Sequence, residues 1–164
     1  PILVQEFVSG EDVGASVYCV NGEIKSFIAH RYHRAIYSTF FEQRIFDDIA
    51  KIARHSNVNG VLNFDMRLTK GGGLFYLECN PRFFFKIAMS MLAGVNFVAA
   101  GLPGCGAPLR LEASETIRFP KALLAALPTP WRLKGGAAVL RHLLSDPTPW
   151  LREELGLERD AVRN

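Results

Sequence analysis

Two acids, two amides and an arginine crowd into one short stretch of this 164-residue chain: Asn63-Phe64-Asp65 and, after a glycine turn, Glu78-Cys79-Asn80-Pro81-Arg82. The residues around Lys70-Gly71-Gly72-Gly73 read as a hairpin, with strands over 60–69 and 74–80. If the turn is centred between Gly71 and Gly72, Asp65 stands opposite Glu78 and Asn63 opposite Asn80. Strand alternation then puts these four on one face, and Leu62, Phe64, Met66, Leu77 and Cys79 on the other. Two carboxylates opposed across a hairpin repel each other. They call for a shared proton, a neighbouring cation or a metal ion. Two carboxylates and an amide oxygen form a hard ligand set that suits Mg²⁺ completed by water and phosphate oxygens, with Mn²⁺ as a substitute. Arg82 lies where it could neutralise a phosphate beside the metal. Spacing alone leaves an alternative open, because antiparallel sheets normally expose one polar face. Asp65 and Glu78 would then be solvated and paired with Arg67 or Arg82.

The elements that must position these groups follow from periodicity and turn signals. Residues 2–8, 13–20 and 23–30 are rich in β-formers, and Asn21-Gly22 between the last two is a hairpin turn signal. Residues 31–41 lack a clean period and read as a loop. From Glu42 to about His55, the apolar residues Ile45, Phe46, Ile49, Ile52 and Ala53 are spaced for a helix. After Pro81 the pattern predicts short helices at 84–93 and 96–101. The glycines and prolines of 101–108 predict a loop. Ile117-Arg118-Phe119 reads as a strand, followed by helices near 121–127, 135–145 and 149–155. The expected class is α+β, a largely antiparallel sheet with flanking helices. Residues 1–108 form one lobe, and 109–164 form a helical extension packing on it.

Composition excludes several functions. A net charge of +3 gives no electrostatic case for nucleic acid or membrane partners. Cys19, Cys79 and Cys105 form no CxxC pair, which argues for reduced thiols in a cytoplasmic protein rather than a disulfide framework or structural zinc. No apolar run is long enough to cross a bilayer. The chain begins at Pro1 inside a strand-like run without a leader pattern, which suggests part of a longer protein.

The segment Leu77-Glu78-Cys79-Asn80-Pro81-Arg82, preceded by Asn63-Phe64-Asp65, resembles the metal-binding hairpin of the ATP-grasp superfamily. There an acid is followed about thirteen residues later by E-x-N, often continued as N-P-R. The ending is similar to that of the carbamoyl-phosphate synthetase-like and biotin carboxylase-like branch, and Asn63 argues against the D-alanine–D-alanine ligase branch. The resemblance implies that Asp65, Glu78 and Asn80 hold Mg²⁺ against ATP, and that Arg82 stabilises a phosphorylated intermediate. Val4-Gln5-Glu6-Phe7-Val8-Ser9-Gly10-Glu11-Asp12 resembles the segment joining the two ATP-binding lobes. By that likeness the backbone of Glu6 and Val8 bonds adenine and Asp12 takes the ribose hydroxyls, with Glu11 as the fallback. The loop after the next strand would bring Arg31 and Arg34 to the phosphates.

The family's N-terminal lobe, with its phosphate-contacting lysine and glycine-rich loop, has no counterpart in this sequence. Gly71-Gly72-Gly73 cannot replace it, since no helix follows. Phe83-Phe84-Phe85-Lys86 stands where many relatives have small residues near the substrate, which implies a different acceptor pocket. His30-Arg31-Tyr32-His33-Arg34 reads as a solvated basic loop, His55 as a complement to a helix dipole, His142 as a structural histidine and Cys79 as core.

The expectation is the C-terminal portion of an ATP-dependent ligase joining a small-molecule carboxylate to an amine or thiol through an acyl phosphate. Such a portion should be inactive by itself and need the missing lobe as partner. The alternative is a non-catalytic nucleotide-binding module. Nothing in the sequence argues against a homo-oligomer.

Overall fold

The computed structural model describes residues 2, 4–33, 36–85, 87–102, 116–118, 141, 144–148 and 152. Its frame is a sheet of six antiparallel strands in the order β5-β4-β1-β2-β3-β6. β1 (Glu11–Val20) and β2 (Glu23–His33) meet at Asn21-Gly22. Both turn residues have positive φ, 52° and 75°, the geometry whose twist matches paired strands. β4 (Gly60–Leu68) flanks β1 on its other side, with β5 (Leu74–Asn80) outside it. β3 (Ile36–Phe40) pairs with β2, and β6 (Thr116–Arg118) closes the far edge.

Strand alternation sorts the side chains into two cores. On one face Val13, Ala15, Val17 and Cys19 of β1 join Phe27, Ala29, Leu62, Phe64 and Met66. α1 (Gln43–His55) covers them through Ile45, Ile49 and Ala53, spaced four apart on one helical stripe. Each of the two isoleucines contributes roughly 1.5–3 kcal/mol by leaving water. The opposite face buries Ile28 and Tyr37 beneath Phe84, α2 (Ile87–Leu92) and α3 (Phe97–Ala100). Asn96 caps α3, its side chain accepting from the Ala99 N–H at 3.0 Å. Among the described residues, no helix is long and apolar enough to cross a membrane.

The structure departs from sequence expectation in four places. Residues 4–8 form no strand, because no described strand runs alongside to complete a ladder; Ile2, Val4 and Phe7 are exposed. The expected loop at 31–41 contains instead the end of β2 and all of β3, so His30 is a buried strand residue. The β4–β5 register holds for Asn63–Asn80 and Asp65–Glu78 but slips at the turn end, where Met66 pairs with Tyr76. Leu77 is the extra residue of that bulge and is exposed, as is Cys79 on the same edge strand. Neither belongs to the core. The expected helices after residue 120 lie outside the described residues apart from helical positions including Arg141, Leu144, Ser145 and Arg152.

Candidate metal and nucleotide site

One row across the sheet organises the site. His30 pairs with Gly14, Gly14 with Asp65, and Asp65 with Glu78. These residues share a sheet face, since neighbours in register point the same way. The next row carries Ser16, Asn63 and Asn80. The hairpin thus brings together Asp65, Glu78 and Asn80, as the spacing predicts.

Hydrogen bonds orient this set from behind. The buried Ser16 hydroxyl donates to Asn63 Oδ1 at 2.8 Å, which fixes the Asn63 amide. Asn63 Nδ2 then faces Asp65 Oδ1 at 3.4 Å, and Asn80 Nδ2 faces Asp65 Oδ2 at 3.5 Å. Both contacts are long, so Asp65 is steered rather than saturated. Burial pushes the Asp65 carboxyl above its usual range, and the Glu78 charge adds to this. The Asn63 hydrogen bond and the Arg82 charge oppose the rise, while Asp12 reinforces it. Among the described residues, neither Asp65 nor Glu78 forms a salt bridge. Arg67, the alternative partner, pairs with Asp12 at 2.9 Å instead.

The chemistry of this donor set fits a divalent cation. Two opposed carboxylates, one of them holding its proton too tightly, gain most from a positive charge placed between them. Among the described residues no three His, Cys, Asp or Glu side chains form a cluster for a metal. Two carboxylates with an amide suit Mg²⁺, which takes few protein ligands and keeps water and phosphate oxygens.

The other expected residues are placed unevenly. Asp12 is brought to the site: it lines a cleft of about 290 Å³ with Gly14, His30, Asp65, Leu77, Phe84 and Phe85. Arg82 is exposed just beyond Asn80, close enough to act on Asp65. Glu6 and Val8 precede β1 as irregular backbone. Arg31 is not brought to the row. It alternates onto the α1 face, where its Nε meets Glu11 Oε2 at 2.9 Å and its guanidinium lies 3.9 Å over Phe40. Arg34 lies outside the described residues.

Sequence reasoning missed Ser16, Gly14 and His30. Ser16 and Gly14 alternate with the apolar residues of β1, a readable signal that they share the face opposite the core. His30 was hidden by the basic residues that follow it.

The antiparallel sheet thus carries two opposed acids on a glycine-turned hairpin, with an irregular segment leading into β1. Residues 1–116 match the family described as ATP-grasp in the biosynthetic pathway with Ter operon, and the chain belongs to that family. No curated protein matches it in sequence. Among solved structures it is similar to L-amino acid ligase from Bacillus licheniformis, with 14% identity and a TM-score of 0.42 over 56% of this chain and 28% of that one. It is also similar to carboxyaminoimidazole ribonucleotide synthase from Aspergillus clavatus complexed with ATP. There the identity is 13% and the TM-score 0.48, over 74% of this chain and 38% of that one. The biotin carboxylase domain of Hydrogenobacter thermophilus 2-oxoglutarate carboxylase, in complex with MgADP, ADP and bicarbonate, shares 15% identity. Its TM-score is 0.46, over 65% of this chain and 28% of that one. The chain therefore spans well under half the length of each.

Proposed function

We propose that this chain supplies one wall of the Mg²⁺–ATP site of a carboxylate–amine or carboxylate–thiol ligase. The direct opposition of Asp65 and Glu78, with neither in a salt bridge among the described residues, carries this reading. Asp65, Glu78 and Asn80 would hold Mg²⁺, which neutralises charge on the nucleotide phosphates when bound. The Glu6 and Val8 backbone would meet the adenine, because irregular chain leaves a carbonyl and an N–H free for a flat base edge. Asp12 would accept from the ribose hydroxyls. Arg82, exposed beside the acids, would stabilise charge on the transferring phosphoryl group and on an acyl phosphate formed from a substrate carboxylate. Arg31 and Arg34 were expected to reach phosphate; the Glu11 pairing of Arg31 makes it the weakest member of the set.

The decisive experiment is a Mg²⁺-dependent ATP titration of the wild type against Glu78→Gln, with the chain joined to an N-terminal ATP-grasp lobe. Loss of Mg²⁺-dependent affinity in the variant supports the metal assignment, and unchanged affinity sinks it. Phosphate release in the same samples separates a ligase site from a binding module.

A further inference from the structure

The most unusual side chain in the row is His30. It is buried, and Nδ1 has no hydrogen-bond partner among the described residues. Its ring is stacked on Tyr37 with centroids 5.1 Å apart and packs on Phe84 at 4.4 Å. The Tyr37 hydroxyl is in turn 3.2 Å from the Ser90 hydroxyl on α2, so the stack is anchored to the covering helix. An orphaned buried N–H is rarer than an orphaned buried acceptor, which puts the proton of the neutral imidazole on Nε2.

Gly14 explains where Nε2 can reach. A Cβ at Gly14 would stand 2.6 Å from Nε2 and 2.8 Å from Cε1. The imidazole therefore lies over the bare backbone of β1, leaning from β2 toward the strand that carries Asp65. His30 and Asp65 both pair with Gly14, and both line the same cleft. Apart from Asp12, which is paired with Arg67, the other side-chain walls of the cleft on this face are apolar: Leu77, Phe84 and Phe85. Leu77 is available because the bulge in β5 takes it out of the regular alternation.

We propose that His30 is a ligand-contacting residue of this site, its Nε2–H donating to a carboxylate oxygen of a small acid whose apolar body lies among Leu77, Phe84 and Phe85. The proposal rests on the ligase reading above and names its carboxylate substrate by class, an acid with an aromatic or branched aliphatic chain. The cleft volume suits one such group and a few waters. An apolar lining discriminates against bare phosphate, which shares the anionic oxygens but has nothing to bury. Asp65 and Glu78 would repel a carboxylate, so the acid enters with Mg²⁺.

The test is titration of the chain with phenylacetate in MgCl₂, followed by calorimetry and histidine side-chain NMR, with inorganic phosphate as the second probe. Phenylacetate is expected to shift the His30 ring resonances more than phosphate does. His30→Phe keeps the aromatic stack and removes the donor, and should weaken phenylacetate about tenfold or more. His30→Gln should recover part of the loss, and it covers the case in which the Phe variant does not fold. Phe85→Ser should weaken phenylacetate and leave phosphate unchanged. Equal phenylacetate affinity in wild type and both His30 variants overturns the proposal, as does a phosphate response as large as that of phenylacetate. If the Glu78→Gln titration confirms the metal site while phenylacetate leaves His30 unmoved, only this inference fails.

Discussion

Asp65 and Glu78 stand directly opposite each other across the β4–β5 hairpin, one residue before the ladder slips at Leu77. The bulge falls at the turn side of the acids and leaves the Asn63–Asn80 and Asp65–Glu78 pairs in register. The repulsion between the two carboxylates costs stability that a bound cation would offset, so binding and folding should respond in opposite directions to its removal.

Glu78→Gln should therefore stabilise the metal-free chain by about 0.2–1 kcal/mol at neutral pH, the range for directly opposed like charges. The same change should abolish Mg²⁺-dependent ATP binding. Denaturant melts with and without MgCl₂ check both signs.

The raised Asp65 carboxyl predicts a pH dependence. The native state holds this proton more tightly than the unfolded chain, so its contribution to stability is greatest in acid. That contribution declines as pH rises from the usual aspartate value through the raised one. Melting temperature against pH should show the decline without metal and less of it in Glu78→Gln. Mg²⁺ affinity should rise over the same window, because the proton and the metal compete.

His30 should act in the opposite sense. Burial lowers it to about 4 from an ordinary value of 6.5. Its contribution is fully present above the unfolded value and is lost as pH falls from about 6.5 toward 4. NMR titration should find this imidazole neutral at pH 6, where an exposed histidine is largely protonated.

Ser16→Ala leaves the buried Asn63 oxygen without its donor and should cost about 1–3 kcal/mol. It should also weaken Mg²⁺ about 10-fold or more, since Asn63 loses the contact that aims its amide at Asp65. Paired melts and Mg²⁺ titrations separate the two effects.

On α1, Ile49→Ala should cost about 2–5 kcal/mol, whereas Ile52→Ala should cost far less. Ile49 is fully buried and Ile52 is 39% exposed, although both fit the apolar period of the helix. Urea midpoints of the two variants measure the contrast.

The sequence determined the local parts of this protein. Asn21-Gly22 and the glycine run after Lys70 specify their turns, because few residues tolerate the required backbone angles. α1 follows from the spacing of Ile45, Ile49 and Ala53. The pairing of Asp65 with Glu78 agrees with the apolar alternation of the hairpin, but the register at the turn end would set Asp65 against Leu77, and the bulge at Leu77 restores Glu78 as its partner. Tertiary structure decided what depends on distant neighbours. Residues 4–8 have strand composition but no strand to pair with among the described residues, and residues 36–40 are strand because β2 and β6 flank them. Cys79 has the alternation of a core residue, yet it is exposed on the outer strand β5. The row from His30 through Gly14 to Asp65 joins residues from three strands. Its geometry rests on a missing Cβ, and no local pattern in the sequence could reveal that.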